Sequence, residues 1–303
     1  MYRRTFIAAV SVSLAVLAAG CARSPRHGIE AIGVESQYAD VISQIAGPYA
    51  RVRAIMTNPN TNPHAFGASP QIAQAIASAS LVVENGLGYD PWVDRILAAA
   101  PDRRRKVINV QHLLGLPATA NPHLWYAPRT MPAVAAAVAA ALSSLRPEQA
   151  AYFQARLRRF DASLAPFRKA LAAFKRRFGA TAVAVTGPVA NDLLEAAGCA
   201  ILTPSGIQIA IMNGTDPAPQ DVAAQEALLG RRRVKALVYN RQVTNPLTAS
   251  FLDLARRNGI PVVAVYETMP AGYHYQTWML GALEQALTQG ASAAGPGGGV
   301  AHP

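Results

Sequence analysis

The sequence predicts an α/β protein made of two lobes, each with its own parallel β-sheet, joined by one long backbone helix. Strands and helices alternate along both halves of the 303-residue chain, and one continuous amphipathic pattern separates the halves. Such alternation is typical of parallel sheets covered by helices. With 51% hydrophobic residues, the chain can bury a substantial core.

The first residues carry the pattern of a secretory signal. Two arginines precede an apolar run at residues 6–19, which ends in small residues before Cys21. A basic start, a short apolar region and a small-residue cleavage site are typical of exported proteins. We therefore assign residues 1–20 to a signal peptide and 21–28 to a tether. Cys21 is a candidate for lipidation, and the alternative is plain cleavage with an incidental cysteine.

Residues 29–146 form the first predicted lobe. Short apolar segments predict strands at residues 30–35, 50–56, 81–84 and 106–110, and helical patterns lie between them at residues 38–45, 70–79 and 91–99. Each helix follows one strand and precedes the next, so the lobe is expected to be Rossmann-like with parallel strands.

A long helix is predicted over residues 147–178. Apolar residues recur alternately four and three apart, at Phe153, Leu157, Phe160, Leu164, Phe167, Leu171 and Phe174. This spacing gives one apolar stripe along a helix. About 30 helical residues extend roughly 45 Å, long enough to run along both lobes. Pro166 is expected to kink the helix.

Residues 179–290 form the second predicted lobe, which repeats the alternation of the first. Strands are expected at residues 181–185, 200–202, 236–240 and 262–266, and helices at 191–197, 218–229, 246–258 and 275–287. The tail from residue 291 to 303 is rich in Gly and Ala and is predicted to be disordered.

The formal charge is +11, which raises the question of an anionic partner. The basic residues occur in short runs at the ends of predicted helices and loops, without interleaved aromatic residues. This arrangement favours a solvated surface over a nucleic-acid interface. The second cysteine, Cys199, lies in an apolar run and is expected to be a buried, inert thiol.

A duplicated motif carries the chemistry of the chain. Asn-Pro-His, followed by one residue and then an aromatic, occurs at residues 62–66 and again at 121–125. Proline restricts itself and the residue before it, so His64 and His123 are presented from stiff loops. Both could converge at the carboxyl edge of the sheet, where open α/β folds place ligands. Neutral imidazole is the commonest protein ligand for Zn²⁺.

With these motifs and its linking helix, the chain resembles the metal-specific solute-binding proteins of bacterial zinc and manganese ABC importers. The resemblance covers nearly the whole mature chain, and it implies that His64 and His123 are the first two metal ligands. The family pattern has Asp-Pro-His in both motifs and an acidic residue where Gly67 stands here. Asn in place of Asp leaves the imidazoles without a second-sphere carboxylate, which is expected to weaken metal affinity.

The resemblance also implies two ligands from the second lobe, a His or Glu and then a carboxylate. Glu267 directly follows the last predicted strand and matches the carboxylate position, with His274, seven residues later, as its rival. The position before it stays open among three candidates: Gln208, Asn213 and Asp216. The remaining histidines are expected not to be ligands: His27, His112 and His302.

The implied function is that of a binding protein and not an enzyme: an extracytoplasmic, monomeric receptor that captures Zn²⁺ or Mn²⁺ between its lobes. Its partner would be the membrane permease of an ABC importer, and a lipid on Cys21 would be its only attachment to the membrane. The chain has no nucleophile elbow, phosphate-binding loop or His-Glu-x-x-His helix. Two alternatives stay open: a zinc-dependent hydrolase with Glu267 or Glu84 as general base, and an adhesin with a structural metal.

Overall fold

The structure, a computed structural model, describes residues 28–60 and 62–293, the last eight of them by backbone alone. The predicted signal peptide, Cys21, most of the tether and the end of the tail lie outside these residues. In the first lobe the elements are β1 (Ile29–Glu35), α1 (Ser36–Ala46), β2 (Ala50–Met56), α2 (Pro70–Ser78), β3 (Leu81–Glu84), α3 (Pro91–Ala99), β4 (Lys106–Asn109), α4 (Val110–Leu113) and α5 (Thr130–Leu145).

The first lobe is built on a four-stranded parallel sheet with the order β2-β1-β3-β4. All four residues of β3 are buried, as expected for a strand covered on both faces. Gly33 in β1 allows α1 to pack directly on the sheet, because a Cβ at this position would collide with the backbone of Ala39. The parallel α/β arrangement predicted for this half is confirmed.

Two helices link the lobes: α6 (Ala150–Ser163) and α7 (Ala165–Phe178). The kink expected at Pro166 takes the form of a break at Leu164, because proline lacks the N–H that would continue the ladder of α6. The apolar stripe points inward as predicted, with Phe153, Phe160 and Phe174 buried. α6 packs on the first lobe through α1 and α5, and α7 packs on the last helix of the second lobe.

The second lobe repeats the topology of the first. Its elements are β5 (Ala182–Val185), α8 (Asn191–Ala196), β6 (Ala200–Ile201), α9 (Ser205–Asn213), α10 (Pro219–Gly230), β7 (Leu237–Asn240), α11 (Pro246–Arg257), β8 (Val262–Val265) and α12 (Tyr275–Ala293). The parallel strand order is β6-β5-β7-β8. Residues 291–293 continue α12, so the disordered tail predicted from residue 291 does not begin there.

One apolar core extends through both lobes. It contains Val83 of the first sheet, Phe167 of the linking segment, and Val238 and Met279 of the second lobe. A second cluster, with Phe251 at its centre, covers the far face of the second sheet. The interface between the lobes is therefore packed like the interior of one domain.

Two further features bear on the sequence predictions. No helix among the described residues has the length and hydropathy of a membrane span.

Cys199 carries a free, half-buried thiol. Burial raises the pKa of that thiol above its ordinary value, in keeping with an inert cysteine.

Candidate metal centre

Three side chains from distant parts of the chain meet between the lobes. His64 lies in the turn after β2, His123 in the loop before α5, and Glu267 two residues after the end of β8. The Nε2 atoms of His64 and His123 lie 3.3 and 3.2 Å from Glu267 Oε2, and all three potential ligand atoms lie within 4.8 Å of one another. In residues 28–60 and 62–293 no other group of three His, Cys, Asp or Glu side chains converges in this way.

The two Asn-Pro-His motifs hold their histidines differently. The Asn62 side chain accepts a hydrogen bond from the backbone N–H of His64 at 3.0 Å, capping a short 3₁₀ turn. Asn121 Oδ1 contacts both the backbone N–H of His123, at 3.3 Å, and its ring Nδ1, at 2.9 Å. Because this oxygen only accepts, the Nδ1 atom carries the proton. The Nε2 atom of a neutral His123 therefore presents its lone pair to the centre.

Glu267 is buried and held at both carboxylate oxygens. Oε1 accepts a hydrogen bond from Asn240 at 2.6 Å, and Oε2 accepts one from the Tyr89 hydroxyl at 2.9 Å. The backbone N–H of Glu267 donates to Gln242 at 2.7 Å. Burial alone would raise the pKa of Glu267, but without a bound ion the positive charge of the protonated imidazoles of His123 and His64 outweighs burial and holds the pKa well below its ordinary value.

The geometry of this cluster fits a bound cation. His123 Nε2 is buried and makes no hydrogen bond, although it lies next to a carboxylate oxygen. A neutral His123 Nε2 and a carboxylate oxygen at 3.2 Å repel each other unless a positive charge, either a proton or a metal ion, lies between them. Ligands about 2.1 Å from a tetrahedral Zn²⁺ are separated from one another by roughly 3.4 Å. The two separations from Glu267 Oε2 are close to this value.

The centre is open on one side only. The side chains of His123 and Glu267 are fully buried, whereas 21% of the His64 side chain is exposed. On the side of the second lobe, Ile211, Met212 and the loop at residues 187–189 lie against His123 and Glu267. An ion would therefore reach the centre past His64.

Comparison with known proteins places the chain in a family. A family model described as the periplasmic component A of the zinc-uptake complex, ZnuA, matches residues 35–288. The chain belongs to this family. The members of the ZnuA family are solute-binding proteins of ABC importers, so the family-level function is the capture of a metal ion.

Solved structures show the same fold at low identity. The periplasmic zinc-binding protein TroA from Treponema pallidum has a TM-score of 0.73 at 16% identity, covering 88% of this chain and 99% of TroA. The solute-binding protein FpvC from Pseudomonas aeruginosa, solved with Ni²⁺, has a TM-score of 0.72 at 19% identity, covering 89% of this chain and 99% of FpvC.

A relative from Thermotoga maritima, provisionally named a metal-binding protein, is 32% identical over 90 residues. That match spans 29% of this chain and 31% of the relative's length. The chain thus matches about a third of that relative's length.

The rival ligands predicted for the second lobe lie apart from the centre. His274, just before α12, contacts Asp40 of α1, with 2.7 Å between His274 Nδ1 and Asp40 Oδ1. Gln208 is buried and bonded to Thr203 and Asn191. The other residues also lie outside the cluster: Asn213 and Asp216, exposed at the end of α9, and His112, exposed in α4. His27 and His302 are not among the described residues.

Glu84, considered above as a general base, is also separate from the cluster. It is buried at the end of β3 and accepts a hydrogen bond from Asn109 at 3.0 Å. Burial raises the pKa of Glu84 to about 7, which would suit a base. Its carboxylate is not in the group that meets between the lobes, so it has no metal-bound water to activate there.

Sequence reasoning missed the residues that position Glu267: Tyr89, Asn240 and Gln242. For Asn240 and Gln242, the predicted strand order could have indicated their position. Asn240 ends β7 and Gln242 follows it, and neighbouring parallel strands bring their carboxyl ends to the same edge as Glu267. Tyr89 carried no such signal, because its contact with Glu267 joins residues 178 positions apart.

Asn121→Ala should lower metal affinity more than Asn62→Ala, the matched substitution in the other motif. Asn121 orients the imidazole ring of His123, whereas Asn62 bonds only to the main chain. Loss of such a second-sphere partner typically lowers affinity about 10- to 100-fold. Zn²⁺ affinity by chelator competition checks this prediction. Equal losses in the two variants would show that ring orientation by Asn121 is unimportant.

Proposed function

We propose that this protein captures one divalent transition-metal ion, Zn²⁺ or Mn²⁺, at His64, His123 and Glu267 outside the cytoplasm, and delivers it to the membrane permease of an ABC importer. The observation that carries the proposal is the convergence of these three ligand atoms within 4.8 Å at the junction of the lobes. Membership of the ZnuA family supports the transport role.

The ligand set accepts several ions. Two imidazoles and a carboxylate suit Zn²⁺ and also bind Mn²⁺, and the intrinsic affinity order of divalent ions favours Zn²⁺. Among the structural relatives, FpvC has been solved with Ni²⁺ and with Mn²⁺. We infer Zn²⁺ as the first candidate cargo of this chain, with Mn²⁺ second.

Capture fits the centre better than hydrolysis does. A catalytic zinc site needs a general base beside an open position of the ion. Both oxygens of Glu267 are already engaged, by Asn240 and by Tyr89, which suits the proposed role as a fixed ligand better than that of a mobile base. A monomeric receptor is proposed, attached to a bacterial membrane by a lipid on Cys21 if that residue is modified.

A metal titration tests this function. We expect the metal-free mature protein to stay folded by circular dichroism and to bind about one equivalent of Zn²⁺ in isothermal titration. A transported ion must be released without loss of the fold, whereas removal of a structural metal unfolds a protein. Unfolding on removal of the ion would favour a structural metal, and the absence of Zn²⁺ and Mn²⁺ binding would refute the proposal.

The same titration has a pH arm that separates the two ligand types. The depressed pKa of Glu267 keeps this carboxylate ionised well into the acid range, so it contributes no pH dependence between pH 5 and 8. The pKa of free imidazole is about 6.5, and below that pH protons compete with the metal for the ring nitrogen. Affinity should therefore fall as the pH falls through this region, and a flat profile would contradict histidine ligation.

A further inference from the structure

We propose that this site takes its ion together with a small carboxylate-bearing chelator, which lies in a cavity beside His64 and pairs with Arg95. The inference rests on the proposed function and narrows it, since it names the chemical class of the second ligand. Four observations carry it: a set of three side-chain donors, one open side, a cavity at that side, and the distribution of charge in the cavity.

The His, Cys, Asp and Glu side chains of the described residues supply three donors to the centre. Zn²⁺ in proteins is typically four-coordinate, and His64, His123 and Glu267 are the only side chains of these four types that meet in the part of the chain that the structure describes. Two neutral imidazoles and one carboxylate also leave a divalent ion with a net charge of +1. An anionic fourth ligand would complete the coordination and neutralise this charge.

The fourth ligand would have to enter from the side of the first lobe. His123 and Glu267 are fully buried, and His64 alone exposes part of its side chain. Towards the second lobe, the space beside His123 and Glu267 holds no room for even a water molecule. A donor from solution therefore reaches the ion past His64.

A cavity of about 500 Å³ lies on that side. His64 and Tyr89 form the wall next to the metal centre, and Phe66, Trp92 and Arg95 lie on the other walls. The volume falls within the range of small-ligand sites. Gly67 adds to the open space, because a side chain at its Cβ position would meet nothing within 4 Å.

The charge in this cavity favours an anion. Among the described residues that line it, Arg95 carries the one permanent charge, and none of them has a carboxylate. Arg95 is exposed on α3 and forms no ion pair with a described residue. A guanidinium binds carboxylates with paired, charge-assisted hydrogen bonds. One carboxylate of the chelator would thus bind Arg95 while another donor atom binds the ion.

The aromatic wall indicates what else the ligand carries. The rings of Phe66 and Trp92 lie 5.1 Å apart, centroid to centroid, at an angle of 38°. They give the cavity an apolar surface that suits a short carbon skeleton. The class that fits is therefore a small chelator with at least one carboxylate and a carbon body, such as an amino acid or a hydroxy acid.

Equilibrium dialysis with two labels tests the inference. The mature metal-free protein would be dialysed against radioactive Zn²⁺ alone, and then against Zn²⁺ with an excess of radiolabelled citrate or, separately, L-histidine. We expect the protein to retain about one ion in each case, and about one chelator per ion with at least one of the two probes. Chelator without Zn²⁺ should not be retained, because the ion supplies half of its contacts.

Arg95→Gln is the decisive variant. It should keep the wild-type affinity for Zn²⁺ alone and lower the affinity for the chelator at least about tenfold, through the loss of a charge-assisted contact. Arg158→Gln, an exposed arginine on α6 outside the cavity, is the matched control and should retain both labels. Retention of the ion without either chelator, or equal retention of chelator by both variants, would overturn the inference and leave the proposed function standing. Failure to retain Zn²⁺ alone would instead overturn the proposed function, and this inference with it.

Discussion

The double substitution His64→Ala/His123→Ala is expected to abolish high-affinity Zn²⁺ binding while the fold persists. Only Glu267 would remain of the three proposed ligands that meet between the lobes, and a single carboxylate does not hold a transition metal tightly. Both histidines lie in loops outside the sheets. The binding signal in isothermal titration should disappear, and the circular dichroism spectrum should match that of the wild type.

The matched control is His112→Ala/His274→Ala, which also removes two histidines but leaves the centre intact. Its Zn²⁺ affinity should equal that of the wild type. Because His123 is fully buried and packs against the Tyr89 and Trp125 rings, its replacement leaves a cavity that can cost stability. The single variant His64→Ala avoids this cost and should still lose most of the affinity. Wild-type affinity in the double variant would refute the assignment of both ligands.

Glu267→Gln is expected to lower the affinity for Zn²⁺ and Mn²⁺ by more than about 100-fold, a loss larger than that of a second-sphere partner. Glutamine preserves the shape of the side chain but removes the one anionic ligand. The loss should be greater for Mn²⁺, which prefers oxygen donors. Chelator competition with each ion measures both effects.

His274→Ala is the comparison for this substitution. His274 is paired with Asp40 at the start of α12, so its removal should change the affinity by less than about twofold, as expected for a change away from the centre. The assignment of Glu267 would be wrong if His274→Ala lost most of the binding while Glu267→Gln lost none.

Much of the fold was predictable because buried parallel strands and amphipathic helices leave strong local patterns. β3 is predicted with the bounds that the structure has, because three of its four residues are apolar and form a short hydrophobic run in the sequence. α5 and α9 were not assigned. α5 is rich in alanine on its buried and exposed faces alike, and α9 contains few polar residues, so neither shows the contrast that marks a helix in a sequence.

The site was predictable to the extent that its parts are local. His64 and His123 stand out because one short motif occurs twice, and Glu267 because it directly follows a strand. The hydrogen bonds from Asn240 and Tyr89 to Glu267 depend on strand order and on how the two lobes meet. Strand order and lobe packing leave no pattern in a short stretch of sequence, so the two hydrogen-bond partners of Glu267 can be identified only from the three-dimensional structure.

The apolar core shared by the two lobes limits how the cargo can be exchanged. Swinging the lobes apart would separate buried side chains that meet across the junction, such as Tyr126 of the first lobe and Trp278 of α12, at about 2.5 kcal/mol for each 100 Å² of apolar surface exposed. A wide hinge opening is therefore disfavoured. His64 and Ala65 lie on the exposed side of their short turn, and the adjacent Phe66 packs only partly against the core. The ion is therefore expected to exchange through a small local movement of this turn while the rest of the molecule stays rigid.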